Sequence, residues 1–106
     1  MKRSYFVRGM KLNKEPKIQD VMTTDDHITV SFDDGRILSF PLKWYPRLVR
    51  ATPAQRRNWK LLGRGVGVHW PDVDEDLSAE GFLKGWPTRE YIRSLGKKEQ
   101  QHEIAA

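Results

Sequence analysis

Apolar and polar positions alternate from Ile28 to Leu42 and break once, at an acidic pair followed by glycine. Ile28, Val30 and Phe32 alternate with Thr29 and Ser31 before Asp33-Asp34-Gly35, and Leu38 and Phe40 flank Ser39 after it. A period of two on both sides of an Asp-Gly turn predicts a β-hairpin. A two-residue loop at Asp34-Gly35 would set Val30 opposite Ser39 and Ile28 opposite Pro41, mixing the faces. A three-residue loop, with a type I turn and Gly35 left-handed in a bulge, sets Val30 against Leu38 and Ile28 against Phe40. That register gathers the large apolar side chains on one face, and a slip of one residue would undo it. The three-residue loop is expected.

Pro16 to Met22, with Ile18 and Val21 as apolar positions, predicts a short strand ahead of the hairpin, and Thr23-Thr24-Asp25-Asp26 a turn. Together they make a three-stranded meander. Pro41 lacks a ladder donor, so the last strand should end there or lie at an edge. Lys43 to Arg50 is interrupted by Pro46 and predicts an irregular crossing or a helical turn. Thr52-Pro53-Ala54-Gln55 has the form of a helix start: N-cap, proline at the first helical position, and the glutamine of a capping box. Gly63 suits the left-handed position after a helix. At about 100° per residue, Ala54, Asn58, Leu61, Leu62 and Trp59 share one side, with Arg56 and Lys60 opposite and Arg57 on the flank. Trp59 and Trp70 are expected in the core. Gly65 to Trp70 predicts a strand that Pro71 stops. A helical turn opening at Asp76-Leu77-Ser78 and ending at Gly85, then a Thr88-capped segment to Leu95, predict short C-terminal helices.

The pattern as a whole predicts an α+β domain over residues 16–85. It consists of a small antiparallel meander with one packed amphipathic helix and short C-terminal helical turns. A basic N-terminal arm (1–15) precedes it, and a short helix with a frayed polar tail (86–106) follows. With 106 residues, 38% of them hydrophobic and 31% charged, the chain can bury one modest core. It has no cysteine, which excludes a disulfide framework, a zinc–thiolate site and a thiol nucleophile. No apolar run approaches the roughly 20 residues that span a bilayer. Arg8 and Lys11 interrupt the start before a signal-peptide core can form. A cytoplasmic protein is expected, with no membrane contact.

The distribution of the +5 net charge says more than its size. Between Gly35 and Pro71 there is no acidic residue, while Arg36, Lys43, Arg47, Arg50, Arg56, Arg57, Lys60 and Arg64 are basic. A basic face built from Lys43, Arg47, Arg50, Arg56, Arg57, Lys60 and Arg64 could follow a phosphate backbone or meet an acidic protein. No helix-turn-helix, zinc motif or aromatic stacking signature accompanies it, so base-specific readout is not expected. The acidic run Asp72-Val73-Asp74-Glu75-Asp76 lacks the turn glycine and distal glutamate of a calcium loop and predicts a solvated, helix-capping turn. His69 has no visibly paired nucleophile and is read as structural. Gly63-Arg64-Gly65-Val66-Gly67 follows a helix where a phosphate loop would open one. No catalytic residue, metal or cofactor is expected.

Residues 30–36, the segment Arg50-Ala51-Thr52-Pro53-Ala54-Gln55-Arg56, Asn58-Trp59 and the block from His69 to Gly81 resemble the bacterial domain of unknown function 2442. The likeness runs from the hairpin to Gly85, over half the chain, and the block Trp70–Gly81 is its specific part. It implies a small α+β domain built on a hairpin with one packed helix. The family has no established catalytic residues to carry over. Some members are fused to a helix-turn-helix domain, and some are encoded beside a second small protein in toxin–antitoxin-like pairs. By analogy this implies a regulatory or binding role, with any DNA contact left to a partner or to the basic surface. The expected function is therefore a non-enzymatic interaction module, antitoxin-like, that binds a partner protein or nucleic acid through its basic face. The alternative is a small enzyme or ribonuclease-like toxin component using His69.

Overall fold

The alternation that predicts the hairpin builds the first of two antiparallel sheets. The computed structural model describes residues 15–96. Strands β1 (Ile18–Thr23), β2 (His27–Phe32) and β3 (Ile37–Pro41) lie in the order β1-β2-β3. Val30 pairs with Leu38 and Ile28 with Phe40, the register of the three-residue loop, and Gly35 takes φ +95°. Its N–H donates to the Phe32 carbonyl at 3.0 Å. A bulge between Ile18 and Asp20 keeps Val21 opposite Val30 on the buried face. The strand ends at Pro41, at the sheet edge, as its missing N–H requires.

A 3₁₀ turn (Leu42–Trp44) and helix α1 (Pro46–Val49) carry the chain off this sheet. Helix α2 (Pro53–Arg57) has the expected capping box: Gln55 N–H donates to Thr52 Oγ1 at 3.1 Å, and Thr52 N–H to Gln55 Oε1 at 3.0 Å. The helix is far shorter than its sequence pattern predicts. The backbone leaves it at Asn58, and Lys60–Leu62 forms strand β4, pairing with β5 (Gly67–Trp70). So short a helix has little propagation to offset its nucleation cost. The consecutive positive φ angles of Gly63, Arg64 and Gly65 make a tight reversal instead. Gly63 is left-handed as expected, but in a hairpin and not at a helix end.

Asp76-Leu77-Ser78 likewise lies in a strand, β6 (Glu75–Ser78), which completes a second sheet of order β4-β5-β6. Ser78 then caps helix α3 (Ala79–Lys84), accepting from Gly81 N–H at 2.9 Å, and Gly85 closes it at φ +70°. A last helix, α4, runs through residues 89–96. Its cap Thr88 accepts from Tyr91 N–H and donates its hydroxyl to the Trp44 carbonyl at 2.6 Å, tying α4 to the 3₁₀ turn. Two small antiparallel sheets with short helices make an α+β fold.

Both sheets contribute to one core. Ile28, Val30 and Phe32 of the first meet Val68 and Trp70 of the second, closed by Tyr45, Leu48 and Phe82. Trp70 is fully buried and donates Nε1–H to the Arg56 carbonyl at 3.0 Å. Trp59 is only half-buried: it packs against the core and lines a shallow hollow with Val21, Met22 and Arg57. The expected basic arm, apart from Glu15, and the polar tail beyond residue 96 lie outside the described residues.

Candidate partner-binding site

Each basic residue singled out by the charge pattern has a different fate in the fold. Arg56 is buried: Nε donates to the Leu48 carbonyl at 2.8 Å, Nη2 to the Val49 carbonyl at 3.3 Å, and Nη1 to Asp25 at 3.0 Å. It does not stand on the outer face of a helix, because α2 ends one residue later and its guanidinium ties α1 to the β1–β2 turn. Lys60 is on β4, level with His69, and not on a helix with Arg56. Arg47 donates to the Asp74 carbonyl at 2.5 Å and, with Arg50, faces Glu90 on α4; Arg50 Nη2 lies 3.1 Å from its carboxylate. Lys43, Arg57, Lys60 and Arg64 are exposed and make no ion pair among the described residues. A stretch without acids in sequence is not a surface without acids, since Asp25 and Glu90 come to it from outside.

The acidic run is dispersed by β6. Asp72 accepts from the Asn58 side chain at 3.0 Å, and Asp74 sits in the turn at φ +52°. Glu75 and Asp76 then point to opposite faces of the strand. Among the described residues no cluster of three or more metal-binding side chains forms. Asp76 instead meets His69 across the β5–β6 pair, its Oδ1 bonded to the imidazole Nδ1.

Beside β6 lies a cleft of about 500 Å³, walled by the four residues of that strand on one side and by Trp86 to Glu90 with Arg93 on the other. Phe82 and Tyr45 form its apolar floor, their ring centroids 5.9 Å apart. Tyr45 is buried, and its hydroxyl has no hydrogen-bond partner among the described residues. Burial, with the Glu75 carboxylate nearby, pushes that phenol far above its ordinary pKa, so it is a neutral donor at any physiological pH. Glu75 is half-buried, and desolvation raises its carboxyl above the ordinary range despite the Asp76 N–H and Arg47. Trp86 is 55% exposed at the rim, with Lys84 Nζ 4.9 Å from its ring centroid. Arg89 and Arg93, one turn apart on α4, line the same cleft. His69 does not line it.

Of the residues expected at a site, only Arg47 reaches the cleft. Tyr45, Glu75, Trp86, Arg89 and Arg93 were not singled out by sequence reasoning. Tyr45 could have been noticed as a hydroxyl inside the apolar stretch before Pro46. Glu75 could have been noticed as the residue that shares a strand face with Leu77.

The fold and cleft define a small α+β domain with an open groove along the edge of its second sheet. The chain belongs to the family described as "Protein of unknown function (DUF2442)", which its residues 18–88 match. No curated protein sequence matches it. Among solved structures, a protein of unknown function from Rhodospirillum rubrum is similar at 27% identity. That match covers 74% of this chain and 99% of that one, with a TM-score of 0.62. An uncharacterised protein from Chromobacterium violaceum shares the fold at 23% identity, with 74% of each chain covered and a TM-score of 0.61.

Proposed function

We propose that this chain is a non-enzymatic interaction module of regulatory type whose partner is another protein, held in the cleft between β6 and α4. The observation that carries this reading is the Tyr45 hydroxyl, buried on the floor of that cleft without a hydrogen-bond partner among the described residues. Leaving such a group unpaired costs about 1–3 kcal/mol, and a partner whose binding opens a path to the hydroxyl and accepts from it would recover that energy. A concave site with an apolar floor, a few convergent polar groups and a shifted carboxyl is the physical profile of a binding site. The toxin–antitoxin-like pairing that the family resemblance implies would use such a cleft for its second member. The His69–Asp76 pair lends the enzymatic alternative little. His69 stays outside the cleft, and no hydroxyl is hydrogen-bonded to it among the described residues. We assign the function to the cytoplasm, in keeping with a cysteine-free sequence.

A second reading, nucleic-acid binding, draws on Lys43, Arg57, Lys60 and Arg64, exposed and without ion pairs among the described residues. One experiment separates the two. Tagged protein is recovered from its native cell and its co-purifying partner identified by mass. Loss of that partner in Trp86→Ala, with retention in Arg57→Glu/Lys60→Glu, supports the cleft. The opposite pattern would overturn it in favour of the basic surface.

A further inference from the structure

We infer that the partner segment is an extended acidic peptide that adds to β6 as a fourth strand of the second sheet. This rests on the reading of the cleft as a protein-binding site and names the chemistry of what it holds.

The pairing of β6 with β5 determines which backbone groups are available. Ala79 N–H donates to the Val66 carbonyl at 2.8 Å, and the register continues through Leu77 with Val68 and Glu75 with Trp70. In an antiparallel pair alternate residues point their N–H and C=O the same way. Glu75 and Leu77 therefore bond to β5, while Asp74, Asp76 and Ser78 turn their backbone groups to the open edge. The Asp74 carbonyl is taken by Arg47, and Asp76 N–H by the Glu75 carboxylate at 3.1 Å. The Asp76 carbonyl and Ser78 N–H have no partner among the described residues.

Exposed sheet edges template further pairing unless they are covered or blocked. Among the other edges of the described residues, β3 ends in Pro41, the start of β1 is held by Ile18 N–H donating to the Gly65 carbonyl at 2.8 Å, and β4, the opposite edge of the second sheet, is only three residues long. At β6 the edge opens onto the cleft, with α4 standing opposite as the far wall. A strand entering between a sheet edge and a helix is a recurring mode of peptide recognition, in which main-chain bonds give affinity and flanking side chains give specificity.

Charge selects the peptide. Of the cleft's carboxylates, Glu90 is paired with Arg47 and Arg50, and Asp76 is hydrogen-bonded to the His69 imidazole. Glu75 is half-buried against its own strand. Arg89 and Arg93 make no ion pair among the described residues. They line the cleft across from β6, on the side where carboxylates of an added strand would stand.

The probe is a blocked peptide of alternating threonine and glutamate, compared with its threonine–lysine counterpart and with a copy N-methylated at alternate backbone positions. The protein is the full chain, labelled for NMR. At millimolar peptide the Asp76 and Ser78 amide resonances should shift and the Ser78 amide become protected from exchange. The lysine and N-methylated peptides should bind roughly tenfold more weakly or worse, and Arg89→Glu/Arg93→Glu should reverse the charge preference. Equal binding of the N-methylated peptide would overturn strand addition while leaving the cleft as a protein-binding site. Concentration-dependent shifts of the same amides without peptide would assign the edge to a second copy of the chain and overturn the acidic-peptide proposal. No shift at the cleft with any peptide would overturn it as well, and the cleft reading would then stand or fall on recovery of the native partner by the Trp86→Ala protein.

Discussion

Arg56 and Asp25, 31 residues apart in the chain, stand 3.0 Å apart, and the bond is lopsided: the guanidinium is buried and the Asp25 side chain is 87% exposed. The stabilising contribution therefore comes mainly from the two carbonyls that Arg56 holds on α1. Arg56→Ala should destabilise the fold by roughly 2–4 kcal/mol, as charged donors to buried carbonyls contribute about 1.5–3 kcal/mol each and act in concert here. Asp25→Asn should cost less than about 1 kcal/mol, the range of exposed ion pairs. Urea denaturation of both variants reads the difference. Equal losses would mean that the ion pair dominates.

The same arginine marks the boundary between what sequence could reveal and what it could not. The hairpin register was legible because turn, period and bulge all lie within residues 28–41 and point to one pairing. The capping box at Thr52 was legible for the same reason: its bonds span three residues. The fate of residues 58–62 was hidden, because Leu61 and Leu62 fit a helical stripe as well as a strand, and the pairing of Lys60–Leu62 with β5 decides between them. The basic face failed on distance. Asp25 and Glu90, which claim Arg56, Arg50 and Arg47, lie far from them in sequence. The cleft draws residues from Tyr45 to Arg93, and no local pattern announces so dispersed a set.

Gly35 and Gly65 should respond differently to alanine. Both take a positive φ, +95° and +105°, which an L side chain resists at about 1–3 kcal/mol. A methyl on Gly35 meets open space, so Gly35→Ala should cost only that strain. On Gly65 it would press into the backbone of Ile18, and the bond from Ile18 N–H to the Gly65 carbonyl would have to give. Gly65→Ala should lower the melting temperature well beyond Gly35→Ala. Similar melting temperatures would show that the β4–β5 turn shifts freely.

Tyr45→Phe should leave the free protein as stable as before, or more stable by up to about 1 kcal/mol, since the hydroxyl it removes is buried and unpartnered. Thermal melts of the free protein test this. A clear loss of stability would show that the hydroxyl has a partner in the free fold, and would remove the observation on which the cleft reading stands.

Glu75 makes stability depend on pH in a direction opposite to most carboxylates. Burial raises its folded-state pKa above the ordinary 4.5, against the lowering pull of the Asp76 N–H and Arg47. The folded state therefore holds the proton more tightly than the unfolded chain does. Between the unfolded value and the raised folded one the native protein binds more protons, so stability falls as pH rises through that window. Below the unfolded value the side chain is neutral in both states and carries no penalty. Glu75→Gln keeps a carbonyl oxygen to accept from Asp76 N–H and cannot ionise. It should raise the melting temperature at neutral pH, and the advantage should shrink and vanish as pH drops below about 4.5. Melting both proteins across that range checks the sign. A gain that is largest in acid, or a loss at neutral pH, would mean that the ionised carboxylate stabilises the fold through Arg47.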